Sequence, residues 1–243
     1  MNIFDLSVVL RDLKECIKYL NVTLQLSVEA AILGIVLGLI IALIQMKKVR
    51  ILNQICVVYN SFMRGTPIIV QLYASYFGIP ILIKYIYYYW GTDFAVSEIN
   101  QMFFAILALG LNSASFNSIT IRASLESGDK GQIEAAHSLG LSPFHTLFRI
   151  IIPEALEVAI PSLGNSLIGL IKGTSLAFTC AVVEVSAQAK IVAGRDYRFF
   201  EAYVATAIIY WIITLVLEFL IYLLMKKIRI PDVMYIKAKK GVH

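Results

Sequence analysis

Apolar residues along this chain gather into long runs, each closed by a charge cluster or by Gly and Pro. The first run covers residues 24–46 and stops at Lys47-Lys48-Val49-Arg50. A helix of ~20 mostly apolar residues crosses a bilayer, so this run predicts a first span. A second helical stretch starts near Ile51, breaks at Arg64-Gly65-Thr66-Pro67, and resumes to about Tyr76, extending to Tyr88. Gly and Pro interrupt it, and Pro67 suits the first turn of the resumed helix. Gly91, Thr92 and Asp93 mark an aqueous turn. A third span is predicted over 101–121, a fourth within 156–183, and a fifth over 202–225, with no convincing internal repeat. That absence weakens an inverted-repeat secondary transporter.

The pattern also divides the chain. Residues 1–19 read as an amphipathic helix in the membrane interface, with Phe4, Val8, Leu13, Ile17 and Leu20 near one side. The alternative is a frayed tail. Asp5 precedes the first basic residue and no A-x-A-like site follows a short apolar core, so a signal peptide is not indicated. Residues 20–228 form the transmembrane unit, with a polar loop at 122–153, and 229–243 form a cytoplasmic tail. Within the first span Gly34, Gly38 and Ala42 recur every fourth residue, a small-residue stripe that lets a second helix approach closely.

Composition agrees with a membrane protein: 59% hydrophobic residues, 15% charged, and a mean hydropathy of +0.78. The net charge of +5 could suggest nucleic acid as a partner, but the basic residues sit at span ends rather than on one soluble face. Faces on the side of Lys47, Arg122, Arg149 and Lys226 carry twelve Lys and Arg residues, against seven on the side of Arg11, Lys84 and Arg198. The positive-inside rule therefore puts the C-terminus in the cytoplasm and, with five spans, the N-terminus outside. The aromatic cluster from Tyr85 to Trp90 fits an outer interfacial belt. Cys16, Cys56 and Cys180 are scattered, without metal or disulfide spacing.

The polar loop is itself patterned. Residues 129–139 are helix-friendly, Gly140 is a natural stop, and Ser142-Pro143 is an N-cap followed by Pro at the first helical position. Two short helices meeting at Gly140 make a knuckle; Pro153 and Glu154 close it and begin the following span. Ala135 and Ala136 leave room for close docking, Leu139, Leu141, Phe144 and Leu147 supply apolar anchors, and Glu134 is expected to hold the knuckle together by accepting hydrogen bonds. An ordinary cytoplasmic hairpin is the plainer reading.

Several polar residues lie within the spans. Lys172 costs ~2.5–3.5 kcal/mol near the bilayer centre on insertion scales, so it should face a cavity or a partner. It can meet a substrate carboxylate or pair with an acidic gate; snorkelling or a buried structural pair is the competing reading. Asn112, Ser113, Ser115 and Asn117 in the third span, and Asn165, Thr174 and Ser175 in the fourth, can line a passage or bond helices together. Arg64 and Thr66 stand at the helix break, at the inner mouth of such a passage. Glu29 and Glu218 lie near span ends.

Taken with Thr23-Leu24-Gln25-Leu26-Ser27, Arg64-Gly65-Thr66-Pro67, Leu111-Asn112-Ser113, Asp129-Lys130-Gly131-Gln132 and Lys172-Gly173-Thr174-Ser175-Leu176-Ala177, the motif Glu134-Ala135-Ala136, Gly140, Ile150-Ile151-Ile152-Pro153 resembles the permease subunits of polar amino-acid ATP-binding-cassette importers. The resemblance covers nearly the whole chain, from Thr23 to Lys227. It implies an all-α membrane fold of the type I importer kind: about five transmembrane helices and an N-terminal interfacial helix, in a bacterial cytoplasmic membrane. It implies a pore made with a second permease subunit, identical or related, and an ATPase that binds ATP and Mg and docks on Glu134, Ala135, Ala136, Leu139, Gly140, Leu141 and Pro153. An amino-acid-binding protein would dock outside. The region Ser115-Phe116-Asn117-Ser118-Ile119 lacks the acidic residue many relatives carry, which counts against a cationic substrate. Asp129-Lys130-Gly131-Gln132, Lys172-Gly173-Thr174-Ser175 and Arg198-Phe199-Phe200-Glu201 look most like cystine permeases. No Walker-type loop is present, so no ATPase and no cofactor of its own is expected in this chain. His137 and His145 lack a metal-ligand pattern, against a membrane enzyme. An uncoupled channel or secondary transporter would have no use for the knuckle.

Overall fold

The structure is a computed structural model that describes residues 4–91 and 99–228; the predicted tail at 229–243, and Thr92 and Asp93 of the predicted turn, fall outside them. All regular structure among the described residues is helical. Helix α1 (Leu6–Cys16) runs through a 3-10 turn into α2 (Leu20–Met46). Asp5 caps α1 by accepting from the Ser7 amide and hydroxyl, which hold its carboxyl below the usual range. Past Met46 the chain reverses at Lys48 (φ 50°) into α3 (Arg50–Gly65). Then follow α4 (Ile68–Tyr73), α5 (Ile79–Trp90), α6 (Gln101–Glu126), α7 (Lys130–Ser138), α8 (Pro143–Thr146), α9 (Ile152–Gly173), α10 (Val185–Asp196) and α11 (Phe199–Ile228). Among the described residues four helices are long and apolar enough to cross a membrane, five if the bent unit Pro143–Cys180 with Val185–Asp196 counts as one span.

The central pair is α2 against α6, and the small-residue stripe makes it. A Cβ on Gly34 would stand 2.8 Å from the Ser113 Cβ, and one on Gly38 would stand 3.0 Å from the Asn117 Cβ. Ala42 is fully buried along the same stripe. Around this seam Leu26, Leu72, Ala105, Leu109, Leu170 and Ala177 form the main core. A second cluster of Cys16, Val185, Ala189, Ala193, Ala202 and Ile209 joins α1, α10 and α11.

Helix α1 therefore docks on the protein's own helices. Its packed face carries Val9, Asp12 and Cys16, and Leu13 and Leu20 of the predicted apolar side pack on the same cluster, while Phe4 and Ile17 of that side stay exposed. Arg11 bridges Asp12 of its own helix at 2.8 Å and ties α1 to Asp196, at the end of α10, at 2.6 Å.

Two helical runs contain a π turn, Ala74–Gly78 and Leu147–Ile151, and each lies just before a proline, Pro80 and Pro153. Proline cannot donate to the carbonyl four residues back. That carbonyl, of Tyr76 or Arg149, falls inside the widened turn in both cases, so the helix continues without a break. Pro153 thus stands in the first turn of α9, where the sequence predicts the following span to begin, but the helix runs into it from α8 without the predicted close of the knuckle.

Candidate functional site

The break between α3 and α4 opens a cavity of about 570 Å³, walled by α6 and α9. Its polar lining is Arg64, Asn112, Ser113, Thr120, Ser162, Asn165 and Ser166; Phe116 and Gly173 complete parts of the wall. Arg64 supplies the lining's one charge, its guanidinium carbon lying 5.6 Å from the centre of the Phe116 ring. Among the described residues no carboxylate bridges Arg64.

A broken helix inside a membrane must satisfy the carbonyls it frees. Gln71 does this: its Nε2 donates to Met63 O (2.8 Å), Thr66 O (3.1 Å) and Thr66 Oγ1 (2.8 Å). The Asn112 amide donates to Met63 O and to Gln71 Oε1, both at 3.1 Å. The last turn of α3 is fixed this way, and with it the backbone that presents Arg64.

Of the predicted pathway residues, the cavity gathers Arg64, Asn112, Ser113 and Asn165. Others are structural. Ser115 is fully buried and donates to Asn112 O; Thr174, also fully buried, donates to Ile171 O; and Ser175 donates to Lys172 O. Asn117 ties α6 to α9, accepting from Ser166 Oγ at 2.8 Å. Thr66 belongs to the clamp. The Lys172 side chain is exposed, with no ion pair among the described residues. It lies one turn past exposed Gly169 on the face that also exposes Ser162 and Asn165. Ser162 escaped the sequence reading, though its spacing to Asn165, Gly169 and Lys172 (i+3, i+7, i+10) is a legible polar stripe.

The loop folds as two capped helices. Asp129 Oδ1 accepts from Gly131 N at 2.8 Å and starts α7. Gly140 has φ 76°, and Leu141 N→Ala136 O with Gly140 N→His137 O, both 3.0 Å, close α7 as a Schellman motif. Ser142 Oγ then caps α8 at His145 N. Leu139 and Phe144 are 81% and 65% exposed at the tip, whereas Ala136 is buried beneath them and Leu141 is half-buried. Ala135 is exposed beside them. The expected role of Glu134 needs correction. Its side chain is exposed and its carboxylate makes no hydrogen bond among the described residues; only its carbonyl is used, accepting from Ser138 Oγ. The caps hold the knuckle instead.

Sequence reasoning also missed Glu184. Fully buried, it caps α10 by accepting from Ala187 N (2.9 Å), and its other oxygen accepts from Tyr210 OH (2.7 Å) and Thr23 Oγ1 (3.2 Å). Thr23 Oγ1 in turn accepts from Val185 N at 3.3 Å. One carboxylate thus fastens α2, α10 and α11 together beside the bend that follows α9.

Residues 34–230 match the family model for the binding-protein-dependent transport system inner membrane component. A probable amino-acid permease protein, YxeN, of Bacillus subtilis (strain 168) is 39% identical over 220 residues, 90% of this chain and 94% of its own. The L-cystine transport system permease protein TcyL of the same organism is 37% identical over 211 residues, 87% of this chain and 86% of its own. The crystal structure of an amino acid ABC transporter with histidines superposes with a TM-score of 0.76 at 30% identity, covering 92% of this chain and 99% of that one. Inward-facing MetNI methionine ABC transporter structures share the fold, at a TM-score of 0.64 and 17% identity.

Proposed function

This chain belongs to the family of binding-protein-dependent transport system inner membrane components, and from that premise we propose that it carries a neutral polar amino acid, L-cystine in the first instance, through the cavity beside Arg64. It is a multi-pass cytoplasmic-membrane permease of an amino-acid ABC importer, the transport component of a system whose ATPase and substrate-binding protein are separate partners.

In the proposed mechanism a second permease subunit, a copy or a relative, completes the pore. The ATPase, which holds ATP and Mg, docks on Ala135, Leu139, Gly140 and their neighbours. The N-terminus lies outside, where the binding protein delivers substrate, and the C-terminus lies in the cytoplasm with the knuckle. ATP binding draws the knuckles together and opens the pore outward; hydrolysis resets it. Arg64 receives the substrate carboxylate, and Asn112, Ser113, Ser162 and Asn165 offer neutral hydrogen-bond partners to its other groups.

The observation that carries the substrate reading is the cavity's charge: among the described residues it has one guanidinium and no carboxylate, and its other polar groups are hydroxyls and amides set in an apolar wall. A cationic side chain would find no counter-charge there. The likeness to an L-cystine permease adds to this. Uptake of radiolabelled cystine, glutamine, arginine and histidine into proteoliposomes holding the whole complex is the test. Cystine uptake that requires ATP and is not competed by arginine is expected. Preferred arginine uptake refutes the substrate class, and accumulation without ATP would favour a secondary transporter.

A further inference from the structure

A cleft of about 480 Å³ lies between the start of α9 and the end of α11, away from the cavity that holds Arg64. Glu157, Ile160, Tyr222, Met225, Lys226 and Ile228 line it. Glu157 and Lys226 share this cleft without coming within ion-pair distance of each other. Sharing Ile160 with it, a second slot of about 220 Å³ lies between α2, α6, α9 and α11; its lining is largely apolar, with Leu163, Leu167, Ile221 and Leu224, and Ser113, Asn117 and Ser166 stand at its α6 and α9 side. The α11 surface around both is exposed and apolar, at Leu215, Val216, Phe219, Leu220 and Leu223. Such a surface on a membrane helix faces lipid.

We propose that this cleft binds one phospholipid bearing a primary ammonium headgroup, with its phosphate on Lys226, its ammonium on Glu157, and one acyl chain in the apolar slot. Charge complementarity selects the occupant. A mouth that among the described residues has one cation and one anion without an ion pair matches a zwitterion that carries both charges on a short linker. A net-anionic headgroup would meet Glu157 unfavourably, and a trimethylated ammonium cannot donate hydrogen bonds to it. Lys226 and Tyr222, near the end of a span, sit where long cationic and phenolic side chains reach headgroups. The apolar slot separates this ligand from a free amino acid, which has the same two charges and no chain to bury. Its headgroup contacts, Glu157 and Lys226, lie outside the cavity that holds Arg64.

The test is native mass spectrometry of the permease–ATPase complex released from bilayers of phosphatidylethanolamine, phosphatidylglycerol and phosphatidylcholine in equal parts. Phosphatidylethanolamine should be retained about tenfold over either competitor, the factor expected for one charge-assisted hydrogen-bonded contact. Glu157→Gln should abolish its preference over phosphatidylglycerol, and Lys226→Gln should lower retention of both, with ATPase co-purification unchanged to show an intact fold. Free phosphoethanolamine at the same concentration should not compete. Equal retention of the three lipids, or a preference unmoved by Glu157→Gln, overturns the proposal. So does a disulfide between two copies carrying Tyr222→Cys, or new lipid retention only after residues 229–243 are removed, since either would show the cleft filled by protein.

Discussion

Replacing Glu184 by Ala removes the acceptor for three buried donors at once. Thr23 has an alternative, since its hydroxyl already lies 3.5 Å from Tyr19 O. Tyr210 OH is left with only the neutral hydroxyls of Thr23 and Thr174, Ala187 N has no other acceptor among the described residues, and the carboxylate they serve is fully buried. An orphaned buried donor costs about 1–3 kcal/mol, while the variant is relieved of burying a charge, so a net loss of about 2–4 kcal/mol is expected. The loss should be local to the joint between α10, α2 and α11. Hydrogen exchange on the purified complex measures it directly: amides of residues 187–196 should exchange roughly 30- to 900-fold faster, while those of α6 stay unchanged. Glu184→Gln keeps an oxygen for Ala187 N and should lose only about 1 kcal/mol. Tyr210→Phe combined with Glu184→Ala should cost less than the two single effects added, because they share one bond. Exchange in α10 unchanged by Glu184→Ala would refute the view that this carboxylate fastens the helices.

Gly38→Val pushes a branched side chain into Asn117 and the Ser118 backbone, 3.0–3.1 Å from where even a methyl would sit; overpacking costs about 1–3 kcal/mol, so yield of folded permease and its melting temperature should fall. Gly140→Ala places a side chain at φ 76° and should cost about 1–2 kcal/mol at the knuckle tip, read as up to tenfold weaker retention of the ATPase on affinity purification. Arg64→Met should raise the KM for uptake about tenfold or more with ATPase binding unchanged, whereas Gln71→Ala should lower stability as well, because it frees the carbonyls at the α3 break. Lys172→Met should assemble normally and lose uptake; normal uptake would remove that lysine from the pathway.

The sequence made visible whatever depends on local pattern. Long apolar runs set the helices, Gly34, Gly38 and Ala42 announced a close helix contact, and Asp129, Gly140 and Ser142-Pro143 announced the caps of the knuckle in their correct places. What stayed hidden depends on partners far along the chain. Glu184 follows an apolar run and reads as the end of a span; only the fold brings Thr23, 161 positions away, to its carboxylate. Gln71 looks like one polar residue in a helix until the carbonyls of Met63 and Thr66 are seen to face it. Asn117 reads as a pathway residue because its side chain is polar, yet Ser113 and Ser166 use its hydrogen-bonding groups. Polarity within a span was therefore a sound guide to importance and a poor guide to role.

The knuckle and the cavity wall belong to one stretch of helix. From Pro143 the chain runs through the π turn at Leu147–Ile151 into α9 and on to Ser162 and Asn165 without a break in helical backbone. At ~1.5 Å per residue that path is roughly 30 Å long. If a docked ATPase moves the knuckle, the wall of the cavity must follow unless the helix bends, and two places allow bending: the π turn and Pro161 inside α9. Both lie between the tip and the cavity, so they set how much of a displacement at Leu139 reaches Asn165. Beyond the cavity the 3-10 segment Thr174–Cys180 and the Glu184 joint hand the far end of that run to α2, α10 and α11. A lever needs a fixed point, and the buried carboxylate stands at the end opposite the knuckle, where one is required.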